Sequence, residues 1–156
     1  MGITGVQLFS LPVTDQDRAR DFYVDVLGFE LVNDMPMGPG MRWVQVRPPG
    51  GFTSITLVTW FEAMPAGQTR GTVLETDDLD GDVARLRGLG VELPNEVESA
   101  PWGRFVTFPD PDGNGLVLQE TDTRGAYGGP VPGRSTRGMR RPRSALTTLD
   151  CSEGSA

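Results

Sequence analysis

The sequence predicts an α+β fold made of two copies of one unit, a strand followed by a helix and three more strands. Three observations predict it. Short apolar runs alternate at period two between Gly- and Pro-rich turns, while apolar residues recur at helical spacing in only two places. The order of these runs repeats about 64 residues further along the chain. The composition then changes after residue 120, where large apolar residues thin out and the periodicity stops.

The first strand reads from Val6 to Val13, with Phe9, Leu11 and Val13 on one face and Leu8, Ser10 and Pro12 on the other. Thr14 or Asp15 can cap the helix that follows, since a short side-chain oxygen satisfies the free amides of the first turn. Ala19, Phe22, Tyr23, Val26 and Leu27 form one apolar stripe on that helix, and Gly28 suits the position just beyond its end. Tyr23, on the stripe, reads as a core residue rather than a catalytic one. Strands are expected at Phe29 to Val32, Arg42 to Val46 and Ser54 to Trp60, separated by MPMGPG and PPGG.

The second unit opens with a strand from Thr72 to Thr76, and Asp77 or Asp78 can cap a helix whose stripe is Leu79, Val83, Leu86 and Leu89. Gly90 stops it. Val91 to Leu93, Phe105 to Phe108 and Leu116 to Gln119 read as three further strands, with PDPDGNG as the last turn. Asp110 and Asp112 read as turn-shaping residues, and Asp80 and Asp82 as part of a solvated helix face. Module one thus spans about 3–62 and module two about 70–120, within one domain of residues 1–120.

The 156 residues include 14 Arg, no Lys and no His, against 21 Asp plus Glu, for a net charge of −7, with 21 Gly, 13 Pro and a single Cys. These counts exclude chemistry. Without His there is no imidazole base, no Ser/His or Cys/His dyad and no His-bound zinc or iron. Without Lys there is no Schiff base, and one Cys excludes an intrachain disulfide or CxxC pair. Residues 1–120 hold eight Arg and eighteen acids, net −10, whereas 121–156 hold six Arg and three acids, net +3. The segment 121–156, rich in Gly, Pro, Ser, Thr and Arg, reads as a disordered tail. Its basic cluster from Arg134 to Arg143 reads as a solvated tail rather than a nucleic-acid contact, and Cys151 within it as no nucleophile. No apolar run approaches the roughly 18 residues of a membrane span, and the N-terminus lacks the basic and apolar regions of a signal peptide. A cytoplasmic location is the expectation.

The phrases VTDQDRARDFYVDVLGFELV, LETDDLDGDVARLRGLGVEL and PDPDGNGLVLQE, in that order and at those distances, resemble the vicinal oxygen chelate superfamily. That superfamily includes glyoxalase I, extradiol dioxygenases, fosfomycin-resistance enzymes and bleomycin-binding resistance proteins. The resemblance covers about residues 3–120. It implies paired βαβββ modules whose mostly antiparallel sheet curls into a cup, with the site inside and a homodimer completing it. In the metal-dependent members four side chains point into the cup, typically His or Gln, Glu, His or Gln, and Glu. Alignment on the quoted phrases places those positions at Leu8, Thr56, Gly71 and Val117. Such a set cannot bind a divalent ion, because two aliphatic side chains, a glycine and one hydroxyl supply neither charge nor denticity. A slip of one residue offers Gln7, Ile55, Thr72 and Leu116 or Leu118, which is no better. The expectation is a cup without metal or other cofactor, and without the metal-dependent reactions of the family.

Parity with those positions assigns the lining to Leu8, Ser10, Pro12, Ser54, Thr56, Val58, Trp60, Val73, Glu75, Val117 and Gln119, with Trp43 and Trp102 at the rim. An apolar surface with a few polar groups is the usual make-up of an organic-ligand pocket. Trp60 and Trp102 either stack on a planar ligand or fill the sheet and dimer interface. Glu75 is the candidate catalytic carboxylate; its alternatives are a surface acid or a partner of Arg104. Two functions follow: a metal-free protein that sequesters a small organic molecule, cationic or aromatic, or a metal-independent isomerase, cyclase or lyase using Glu75. A third alternative is a cup decayed into a packed dimer core. The acidic body makes nucleic acid an unsuitable partner.

Overall fold

The computed structural model describes residues 2–122. Its elements follow the order β1 (Leu8–Pro12), α1 (Gln16–Asp21), β2 (Glu30–Gly38), β3 (Met41–Arg47), β4 (Ser54–Val58), β5 (Thr72–Glu75), α2 (Leu79–Gly88), β6 (Glu98–Ala100), β7 (Gly103–Pro109) and β8 (Gly115–Thr121). The tail expected over 121–156, apart from Thr121 and Asp122, lies outside the described residues, together with Cys151 and the Arg134 to Arg143 cluster. The two halves form sheets of one topology, ordered β1-β4-β3-β2 and β5-β8-β7-β6. In each, the first strand pairs in parallel with the fourth, and the remaining pairs are antiparallel.

Both helices start on an aspartate. Asp15 accepts the amides of Asp17 and Arg18, and Asp78 accepts that of Gly81, so each satisfies donors the first turn leaves free. After Asp21, α1 widens into a turn of π-helix over Phe22–Val26, and Gly28 ends it at φ 78°.

Two strands depart from the sequence reading. β2 runs on through Met35–Gly38, a stretch expected to turn, and bulges at Val32, where the register shifts between Leu31 and Asn33. It is an edge strand, where the missing amide of Pro36 leaves no ladder bond unmade. Val91 to Leu93 is not a strand; the third strand of the second unit is Glu98–Ala100 instead. The Val91 amide donates to the Leu86 carbonyl to close α2, and Pro94 has no amide to give. β4 ends at Val58, so Trp60 lies beyond it, half-buried and edge-on to Phe61 at 6.1 Å.

The core is a single cluster shared by both modules. Leu11, Val44, Val46 and Leu57 from one sheet join Val106, Phe108, Leu116 and Leu118 from the other, with Ala19, Tyr23, Leu79 and Leu86 from the helices. Each fully buried aliphatic side chain contributes about 1.5–3 kcal/mol relative to exposure. Strand alternation then sends the intervening residues to the opposite face of each sheet, away from the core.

Candidate functional site

The outer face of the first sheet carries Trp43, Gln45 and Arg47 from β3, Ser54, Thr56 and Val58 from β4, and Leu8, Ser10 and Pro12 from β1. The register pairs Leu8 with Ser54, Ser10 with Thr56, Pro12 with Val58 and Gln45 with Thr56. A relay of hydrogen bonds fixes one side of it. The Trp43 indole Nε1 donates to Gln45 Oε1 at 3.0 Å, Gln45 Nε2 donates to Ser54 Oγ at 2.7 Å, and Ser54 Oγ donates to the Gln7 carbonyl at 3.2 Å. The half-buried Trp43 ring is therefore held in place by its own strand neighbour.

Beside the relay, Thr56 is fully buried, yet its hydroxyl has no partner among the described residues. An unpartnered buried hydroxyl costs about 1–3 kcal/mol. Arg47 Nε on the same face is likewise buried and unpartnered, while Arg47 Nη2 reaches Glu30 at 2.9 Å.

The second sheet presents Val73, Glu75, Val117 and Gln119 on its outer face. Glu75 is exposed, and its carboxylate accepts from the Thr121 hydroxyl at 2.8 Å and the Thr121 amide at 3.1 Å. Gln119 Nε2 donates to the same hydroxyl at 2.9 Å. Arg104 is not the partner of Glu75; it binds Asp80 at 2.6 Å and Glu120 at 3.4 Å, on the other side of the strand. Val117 lies opposite Thr107, whose hydroxyl accepts from Asn95 Nδ2 at 2.6 Å. Trp102 stands 45% exposed at the β6–β7 turn.

Of the four positions that hold metal in the metal-dependent members, Leu8 and Thr56 lie on the first sheet, Val117 lies on β8, and Gly71 immediately precedes β5. The residues present do not fit a divalent ion. Among the described residues no group of three or more His, Cys, Asp or Glu is placed to hold one.

What sequence reasoning missed is the weight carried by the last turn. Asp110 and Asn114 are buried. Asn114 Nδ2 donates to the Pro12 carbonyl and to Asp110 Oδ2, both at 3.0 Å, while its Oδ1 accepts the amides of Gly67 and Thr69. The Tyr23 hydroxyl donates to Asp110 Oδ2 at 3.1 Å, and Asp112 accepts from Thr14 and Arg18. Burial and the Asp110 charge hold the Tyr23 phenol protonated far above its ordinary range. One turn of module two thus binds β1, α1 and the linker. Gln45, Arg47 and Thr121 were also missed, although the period-two step from Trp43 points to the first two.

A cavity of about 390 Å³ lies between the modules, among Phe9, Phe29, Ile55, Leu74, Phe108 and Leu118, and the expected site residues Val73 and Glu75 also border it. An open groove of about 450 Å³ lies instead along the end of the second sheet, and includes Gly71, Thr107 and Val117.

Comparison with known proteins agrees with this topology. The chain matches the antibiotic-binding protein TnmS3 from Streptomyces sp. CB03234 at 50% identity and a TM-score of 0.74, over 78% of this chain and 99% of that one. A superfamily member from Sphaerobacter thermophilus matches at 39% identity and a TM-score of 0.70, over 76% and 98%. The uncharacterized protein YetH of Bacillus subtilis is 37% identical over 111 residues, which span 69% of this chain and 91% of that protein. The family model of the Glyoxalase/Bleomycin resistance protein/Dioxygenase superfamily matches residues 5–118, and the chain belongs to that superfamily.

Proposed function

We propose that this chain is a metal-free binding member of its superfamily that sequesters a small organic ligand, aromatic or cationic, in the cytoplasm. The observation that carries the reading is the first sheet's outer face. A locked indole stands near a fully buried hydroxyl that has no partner among the described residues. That hydroxyl has no exposed surface, so a ligand meets it only when a neighbouring side chain of the face shifts, and the hydrogen bond then made is strengthened by its low-dielectric surroundings. The antibiotic-binding description of TnmS3 supports the same direction, as does the unsuitability of Leu8, Thr56, Gly71 and Val117 for metal.

A homodimer completes the cup in this reading. The outer faces of the two sheets point away from one shared core, so a ligand enclosed by both kinds of face needs module one of one copy and module two of another. Ser10, Thr56, Val58 and Trp43 then form one wall, with Val73, Glu75, Val117, Gln119 and Trp102 opposite. Trp60 stands near the rim. The enzymatic alternative, an isomerase, cyclase or lyase using Glu75 as base, has less support, since both oxygens of that carboxylate are already engaged by Thr121.

Titration with cationic glycopeptide antibiotics and with planar aromatic antibiotics, followed by Trp fluorescence and thermal melting, tests the reading. Binding should quench fluorescence and raise the melting temperature, and Thr56→Val should weaken it about fivefold to tenfold. No response to any of them at millimolar concentration overturns it.

A further inference from the structure

We infer that the groove at the end of the second sheet takes the carboxylate of an organic acid, with Arg70 as its recognition group. This rests on the reading of the outer faces as ligand surfaces, and it names a chemical group that the acidic net charge of residues 1–120 would not suggest. Eight arginines lie among the described residues. Seven of them, Arg18, Arg20, Arg42, Arg47, Arg85, Arg87 and Arg104, reach a carboxylate within 4.0 Å or less. Arg70 alone among them has no acid partner.

Its guanidinium is nevertheless held in place. Nη1 donates to the carbonyls of Gly67 at 2.8 Å, Thr69 at 2.8 Å and Gly113 at 3.1 Å. The aliphatic stem lies on Gly115, where an added Cβ would stand 2.7 Å from Arg70 Cδ. One nitrogen is thus consumed in fixing the group, and Nη2 and Nε remain. A planar fork with two free donor nitrogens matches the two oxygens of a carboxylate.

Arg70 borders the groove of about 450 Å³ together with Gly71, Pro94, Asn95, Thr107 and Val117. Thr107 Oγ1 accepts from Asn95, which leaves its own O–H to donate. Pro94 and Val117 supply an apolar wall. The matching ligand carries a carboxylate on a flat apolar body of modest size.

The test uses the full chain, labelled with nitrogen-15, titrated with 2-naphthoate and separately with the uncharged 2-naphthalenemethanol. Naphthoate should shift the Arg70 Nε–H signal and the Gly71, Thr107 and Val117 amides, and should bind more tightly than the alcohol. Arg70→Gln should weaken naphthoate about tenfold, leaving the alcohol unchanged, and Arg70→Lys should recover only part of the loss because it restores charge without the fork. If Arg70→Gln fails to fold, the wild-type Nε–H shift still decides. Naphthoate binding that leaves the Nε–H signal unmoved, or that survives Arg70→Gln intact, overturns the inference while the antibiotic titration stands. Naphthoate bound at Arg70 with no antibiotic response upholds the groove as an organic-acid site and removes the sequestration reading.

Discussion

The two modules share strand order, an aspartate cap on each helix and a positive-φ glycine after it, yet they divide labour unequally. Module one closes its β3–β4 connection with a local bond from the Gly51 amide to the Pro48 carbonyl, whereas the corresponding turn of module two, Asp110 to Asn114, binds residues across the other half. Their outer faces also differ. The first leaves Thr56 and Arg47 Nε without a partner among the described residues, while the second engages Glu75 and Gln119 within itself. Periodicity and capping reproduce a backbone; they leave the residues that face away from the core free to diverge.

The sharpest way to break this comparison is to remove the turn from each half. Asn114→Ala strips four hydrogen bonds from a fully buried site and should lower stability by about 3–5 kcal/mol. Gly50→Ala, at φ 72° with open space around it, should cost only about 1 kcal/mol of backbone strain. Chemical denaturation of both variants measures the difference, and equal losses would remove the asymmetry.

Tyr23→Phe comes next, at about 1.5–3 kcal/mol, because it deletes the bond to Asp110. It also carries a pH signature. The folded phenol keeps its proton far above the ordinary range, so its contribution is full below about pH 10, where the unfolded phenol titrates, and declines as pH rises further. Wild-type stability should therefore fall in alkali more steeply than that of the variant.

Smaller and opposite in sign is the pair Thr56→Val and Thr107→Val. The first replaces an unpartnered buried hydroxyl by a methyl group and should raise the melting temperature by the equivalent of about 1 kcal/mol; the second removes an acceptor from Asn95 and should lower it by a similar amount. The smallest effect belongs to Arg42→Gln. The Arg42 guanidinium, followed by Arg20, holds Asp34 below the usual carboxylate range, so this support is present above about pH 4 and is lost as pH falls through the lowered value. The variant should be less stable by at most about 1 kcal/mol at neutral pH, and the gap should close in acid.

Much of the fold was legible because its signals are local. The stops at Gly28 and Gly90 and the apolar stripes are written within one or two helical turns, and so are the caps to within one residue: the sequence admits Thr14 or Asp15 and Asp77 or Asp78, and the structure uses Asp15 and Asp78. β2 was misread because Pro and Gly signal a turn unless a strand lies at an edge, and edge position is a property of the sheet rather than of the segment. β6 was displaced because closing α2 used the amide of Val91. The site was legible only as parity. That Thr56 faces outward follows from alternation, but that nothing meets its hydroxyl depends on Ser54, Gln45 and Trp43 satisfying one another first. The Tyr23–Asp110 and Pro12–Asn114 contacts join residues 87 and 102 positions apart, and no local pattern announces them.

The shared cluster that joins both sheets has a consequence for cooperativity. Each half copies the other and packs its helix on its own sheet, α1 on β3 and β4 and α2 on β8, yet the buried side chains of both merge into one cluster. Cleavage in the connection between Trp60 and Gly71 would therefore expose part of that cluster in each fragment, and the intact chain should melt in a single transition. Repetition in this molecule has produced an obligate pair.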